Sequence, residues 1–140
     1  MLTIVRHDAA ILSSLVGVPY VPRGRTREGA DCWGIVLLAA RELFYLDLPE
    51  FFYSSEELAL LEDAQALIGH ETRAACWREV QAPFAAGAVH IFRIHGQETH
   101  CGLHLGADTF LHSLPGRNSC IETLRDMNWR QRRTGTYVYD

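Results

Sequence analysis

The apolar positions change rhythm along this chain, helical in its first half and alternating in its second. Residues 3–16 place apolar side chains at helical spacing and stop at Gly17, after which "GVPY" reads as an extended or turn segment. A Gly- and Arg-rich stretch, "VPRGRTREGA", leads to Asp31. From Cys32 to about Phe44 the pattern is helical and apolar on nearly every side, through Ile35, Val36, Leu37, Leu38, Leu43 and Phe44. Such a helix is expected to be buried all round, at the centre of the molecule. Pro49 holds a loop, and Ser54 followed by Glu57 reads as a capping box. The helix it opens carries Leu58, Leu61 and Leu67 and ends near Gly69, and a further short helix is expected over 74–80.

From residue 88 the period becomes two. "AVHIFRI", "THCGLHL", "TFLHSL" and "SCIETL" read as strands separated by turns at "HGQE", "GAD" and "PG". "RDMNWRQRR" reads as a short helix and "GTYVYD" as a closing edge strand. Helices followed by an antiparallel meander describe an α+β layer fold, with the Cys32 helix packed on the sheet. No repeat, linker or low-complexity tract divides the 140 residues, so a single domain over 1–140 is expected.

Charge narrows the function classes. A formal net charge of -4 points to neither a nucleic-acid partner nor a polybasic membrane patch, although Arg23, Arg25 and Arg27 form a local basic group. The opening "MLTIVRHDAAILSSLVG" breaks its apolar run with Arg6, His7 and Asp8. Synthesis in the cytoplasm without a signal peptide is therefore expected, with no membrane partner. The cysteines at 32, 76, 101 and 120 show no CxxC pairing, which argues against a disulfide framework or a structural zinc site.

The candidate chemistry centres on Cys32. A free cysteine is most often a small core side chain, but this one follows Gly29 and Asp31, precedes Gly34, and stands at the start of a helix. Helix N-terminal N–H groups pointed at a sulfur favour thiolate over thiol. A nucleophile there needs a base, and histidines are the side chains suited to the task near neutral pH. His7, His70, His90 and His95 are expected at the surface or in satisfied packing. A hairpin centred on Ala107 sets His104 opposite Phe110 and Gly102 opposite His112, so His100, Gly102, His104 and His112 share a face. His100 and His112 then become diagonal neighbours across the bare Gly102, one ring serving as base and the other orienting it. His104 competes from the same face, and a one-residue slip would remove His112 from it. Zinc held by histidines and Cys32 is a weaker alternative, for want of tight ligand spacing.

The segments "GVPYVPRGRTREGADCWGIV", "GAVHIF", "HCGLHLG" and "FLHS" resemble the NlpC/P60 cysteine peptidases of bacterial cell-wall turnover, over about Val5 to Tyr139. The likeness rests on order and spacing, with a tyrosine twelve residues before the cysteine and two histidines twelve apart. It implies a papain-like α+β core with Cys32 as nucleophile, His100 as general base and His112 as the orienting residue. It further implies that Tyr20 helps hold the oxyanion and that Asp31 matches the acidic residue of the family's "DC" pair. Three departures from the pattern are Trp33 for a small residue, Ala88 for an Asp and Cys101 for a Val. "DCWG" resembles the branch found in phage tail assembly proteins related to the lambda K protein.

The implied activity is cleavage between γ-D-glutamyl and diaminopimelate, or the equivalent Lys, in peptidoglycan stem peptides. A Cys32 thiolate held as an ion pair with His100 attacks the carbonyl, and no metal or organic cofactor takes part. Asp31, Trp33, Arg23 and Arg25 join Tyr20 as candidate substrate-binding or oxyanion residues, the arginines as carboxylate clamps or merely solvated charges. Other phage tail-tip proteins are implied partners, and a virion tail an implied location. A related N-acetylmuramoyl-L-alanine amidase or acyltransferase, and a catalytically silent tail-tip protein, stay open beside the peptidase.

Overall fold

The computed structural model describes residues 6–49 and 77–139. Helix α1, Arg6–Leu15, ends where Gly17 takes a φ of +90°, as the sequence predicts. Two short strands, β1 (Arg25–Thr26) and β2 (Gly29–Ala30), pair within the Arg-rich loop. Helix α2 spans Cys32–Phe44 and is buried at eleven of its positions, so the apolar run forms the central helix expected of it. Tyr45, in the left-handed region, closes it.

The sheet holds β3 (Trp77–Glu79), β4 (Val89–Ile94), β5 (Gln97–Gly106), β6 (Thr109–His112), β7 (Cys120–Thr123) and β8 (Arg133–Tyr139). Its order is β3-β8-β4-β5-β6-β7, antiparallel throughout. Helix α3, Met127–Arg132, precedes β8.

Two expectations change. The short helix over 74–80 is instead a strand at Trp77–Glu79, and residues 74–76 lie outside the described residues. The last strand is interior, because β3 pairs with its far side through Trp77↔Tyr139 and Glu79↔Tyr137. The Ser54–Glu57 helix also lies outside the described residues.

Alternation divides the sheet's side chains between two cores. Val89, Ile91, Cys101, Leu103, Leu105 and Leu111 join the buried face of α2 and Leu15 of α1. On the other face Phe92 and Phe110 pack with Leu124 and with Trp129 of α3. Ser119 pins α1 to the sheet margin, its hydroxyl donating to the Leu15 carbonyl at 2.6 Å and accepting from Val18 N–H at 2.9 Å. No helix among the described residues is long and apolar enough to cross a membrane.

Candidate active site

Asp31 builds the start of α2. Fully buried, it accepts from the Gly34 N–H at 2.7 Å, from the Arg23 N–H at 3.1 Å and from the Arg25 guanidinium at 2.9 Å. The carboxylate therefore caps the helix and ties the 23–25 turn onto its first turn. Gly34 is required by that closeness, since a Cβ there would lie 1.9 Å from the Gly24 carbonyl oxygen. Cys32 follows the cap and is buried. Its neighbour is Cys101 of β5, whose thiol lies close enough to interact with it. Burial, and then that contact, push the Cys101 thiol well above its ordinary pKa.

This geometry redistributes the expected substrate residues. Arg25 is no free carboxylate clamp, because its guanidinium is held by Asp31 and by the Gly24 carbonyl. Arg27 grips Glu42 through two contacts of 2.7 Å, while Arg23 is exposed. Trp33 is turned inward at 1% exposure, its indole N–H donating to the Pro49 carbonyl at 3.1 Å, so it serves packing rather than substrate contact. Tyr20 is half-buried in a segment fastened to Ala30, two residues before Cys32, by the Ala30 N–H to Pro19 and the Val21 N–H to Ala30.

The hairpin has the expected register, with His104 opposite Phe110 and Leu103 opposite Leu111. His100 Nε2 and His112 Nδ1 stand 2.8 Å apart. Gly102 leaves the room, as a Cβ there would approach the Phe110 ring to 2.9 Å. Both histidines lie on the α3 face, where His100 meets Phe92 and Trp129 and His112 meets Phe110 and Trp129. His100 and Cys101 are consecutive on β5 and point to opposite faces, Cys101 toward Cys32. No hydrogen bond joins Cys32 to His100 among the described residues, while His100 bonds His112. The end of β6 nevertheless reaches the helix start, because the Ser113 hydroxyl, next to His112, donates to the Ala30 carbonyl at 3.3 Å.

Burial holds His100 well below its ordinary pKa, with His112 and the Arg132 charge adding to the effect. It enters any reaction as a neutral imidazole able to accept a proton. His112 is likewise pushed down to about 4 by burial, against the opposing pull of Glu122. Its 3.2 Å contact with Glu122 is thus a hydrogen bond from a neutral ring rather than an ion pair near neutral pH.

Glu122 and Cys120 are the neighbours that sequence reasoning missed. Cys120 Sγ lies 3.5 Å from His112 Nε2, and Cys120 is the cross-strand partner of His112. Their two-residue spacing in "SCIETL" was the available signal, but the 113–119 connection does not fix its register against β6 from sequence. His104, the expected competitor, is engaged elsewhere: its Nδ1 is 2.9 Å from His90 Nε2, and His90 Nδ1 is 2.6 Å from the Thr136 hydroxyl. His90 is therefore satisfied packing, completely buried.

Known proteins share this fold. The NlpC/P60 family model matches residues 17–138. The Escherichia coli (strain K12) protein named Murein DD-endopeptidase MepS/Murein LD-carboxypeptidase is 26% identical over 116 residues, covering 83% of this chain and 53% of that protein. The chain thus spans about half the length of the curated relatives it matches. Among solved structures, the NlpC/p60 domain of the peptidoglycan hydrolase SagA superposes with a TM-score of 0.58 at 18% identity, over 93% of this chain and 97% of that one. The peptidoglycan hydrolase RipB from Mycobacterium tuberculosis superposes with a TM-score of 0.53 at 21% identity, over 96% and 67%. Both likenesses are of fold. The family match runs from the Gly17 turn almost to the end of β8 and takes in the cysteine helix and both paired histidines, so the chain belongs to the NlpC/P60 family.

Proposed function

We propose that this chain is a cysteine peptidase hydrolysing peptidoglycan stem peptides. The observation that carries the reading is the 2.8 Å pair of His100 and His112, the latter next to Ser113, whose hydroxyl reaches the Ala30 carbonyl two residues before Cys32. In the scheme, neutral His100 takes the Cys32 thiol proton at Nδ1 as the sulfur attacks the scissile carbonyl. The resulting imidazolium donates its Nε2–H to His112 Nδ1, and His112 in turn donates its Nε2–H to Glu122. Backbone N–H groups at the α2 start, with Tyr20, receive the oxyanion. His100 then protonates the leaving amine and water releases the thioester, with no metal or organic cofactor in the scheme. The sulfur–imidazole contact it requires forms with substrate bound, as apo-state catalytic contacts commonly tighten only then.

Within that reading, the bond is γ-D-glutamyl to diaminopimelate or Lys, supported by the sequence motifs. The E. coli relative's name favours a second reading, a DD-endopeptidase or LD-carboxypeptidase specificity. "DCWG" supports a phage or prophage tail setting, with tail-tip proteins as partners and the virion tail as location. A related amidase or acyltransferase uses the same nucleophile and base, and a silent tail-tip protein uses neither. Incubation with labelled stem peptides and mass analysis of the products separates them. Cleavage after γ-D-Glu that disappears in Cys32→Ala is the expected result. Wild-type cleavage that survives Cys32→Ala overturns the peptidase reading, and no cleavage by any form favours the silent protein.

A further inference from the structure

His112, Cys120 and Glu122 bring three different ligand atoms together. His112 and Cys120 are direct partners across β6 and β7, and Glu122, two residues on, lies on the same side of its strand. Nε2 and Sγ are 3.5 Å apart, Nε2 and the carboxylate oxygen 3.2 Å, and all three atoms fall within 4.8 Å. A tetrahedral zinc with ordinary bond lengths sets its nitrogen and sulfur ligands about 3.5 Å apart and its nitrogen and oxygen ligands about 3.3 Å. We propose that His112 Nε2, Cys120 Sγ and a Glu122 carboxylate oxygen form a binding site for a borderline-soft divalent cation, zinc foremost, whose occupancy switches off His100 as a base.

The donor set argues for that class of ion. One thiolate, one imidazole and one carboxylate suit zinc rather than magnesium or calcium, and leave a fourth position for water. The second nitrogen of His112 is already occupied by His100, which supplies the outer partner that metal-ligating histidines characteristically have. Cys120 and Glu122 are only half-buried, so the ion has an approach that the enclosed His112 alone would not give.

The switching effect follows from proton positions and rests on the peptidase reading. During the proposed reaction His112 must accept a hydrogen bond at Nδ1, which requires its own proton on Nε2. A cation takes the Nε2 lone pair, displaces the Cys120 thiol proton to solvent and leaves the neutral His112 ring with its proton on Nδ1. A protonated His100 would then present its Nε2–H to another N–H at 2.8 Å, so the imidazolium that the acyl-transfer step needs is disfavoured.

Cobalt(II), a spectroscopic stand-in for zinc, tests the site without any substrate. Thiolate-to-cobalt absorption is expected from the wild type and from Cys32→Ala, but not from Cys120→Ser. Glu122→Gln should weaken binding by about tenfold to a hundredfold, the loss typical even of groups that only orient a metal ligand. On stem peptides, free zinc at roughly ten times its Kd should lower wild-type turnover about tenfold and leave Cys120→Ser turnover unchanged. Absorption that persists in Cys120→Ser, or vanishes in Cys32→Ala, overturns the site by moving the ion to the Cys32–Cys101 pair. Cobalt binding at the site with turnover indifferent to zinc overturns the switch. If zinc-free wild type cleaves nothing, the peptidase reading falls, and the cobalt spectra still decide the site.

Discussion

Side chains around the Cys32 helix start carry unequal shares of the proposed reaction, and their removal should reveal that inequality. Cys32→Ala and His100→Ala remove the nucleophile and the proton acceptor, so turnover should fall by roughly a hundredfold to ten-thousandfold. His112→Ala should leave more activity, because it only positions and polarises His100 through the 2.8 Å contact, and Glu122→Gln should leave more still. Tyr20→Phe should lower kcat measurably through the loss of an oxyanion donor. Alkylation gives an independent reading: burial raises the Cys101 and Cys120 thiols, so limiting iodoacetamide at about pH 6 should label Cys32 first. Peptide mapping that finds Cys101 or Cys120 modified first would count against Cys32 as nucleophile. The places of Cys32, His100 and His112 in the fold were legible because helix start, hairpin centre and strand alternation each fix a side chain by local rules. Glu122 and Cys120 were not, since their neighbourhood with His112 depends on how the 113–119 connection returns.

The N-terminus of α2 shows how one carboxylate organises an element. Asp31 satisfies the Gly34 N–H, holds the Arg23 backbone and balances Arg25, all from a fully buried position. Asp31→Ala should cost about 2–4 kcal/mol, combining a lost cap with the loss of the carboxylate facing the Arg25 guanidinium. Asp31→Asn should cost less, since its amide oxygen still caps the helix. Urea unfolding of the two variants checks the order. A helix with so plain a start and an apolar run was predictable from sequence almost to the residue, though the left-handed Tyr45 that closes it was not. A three-residue strand such as Trp77–Glu79 has no period to read, and without it nothing in "GTYVYD" reveals that this strand has a neighbour on both sides. Non-local pairing, rather than local preference, decides both.

At the scale of the whole molecule, the sheet buries a second histidine pair whose consequence is for stability rather than chemistry. His90 touches the Thr136 hydroxyl, His104 and Phe84, with the Arg133 charge nearby, and burial pushes its pKa down to about 3. His104 is lowered too, again chiefly by burial. An unfolded chain binds protons at these rings from about pH 6.5 downward while the folded one refuses them, so acid favours unfolding through that window. His90 alone should therefore lower the unfolding free energy by about 2 kcal/mol between about pH 7.5 and about pH 5. His90→Leu removes that titration and leaves Thr136 and His104 each short of a partner. It should cost about 1–3 kcal/mol near neutral pH yet lessen the acid dependence, with His100, His104 and His112 supplying the slope that remains. Urea midpoints for both proteins at the two pH values measure the difference of slopes, and equal slopes would mean that the His90 ring takes up a proton within the fold. Such a ring would donate to both neighbours, with His104 Nδ1 and the Thr136 hydroxyl oxygen each accepting, which fixes His104 as the Nε2–H tautomer at the junction of strands β4, β5 and β8.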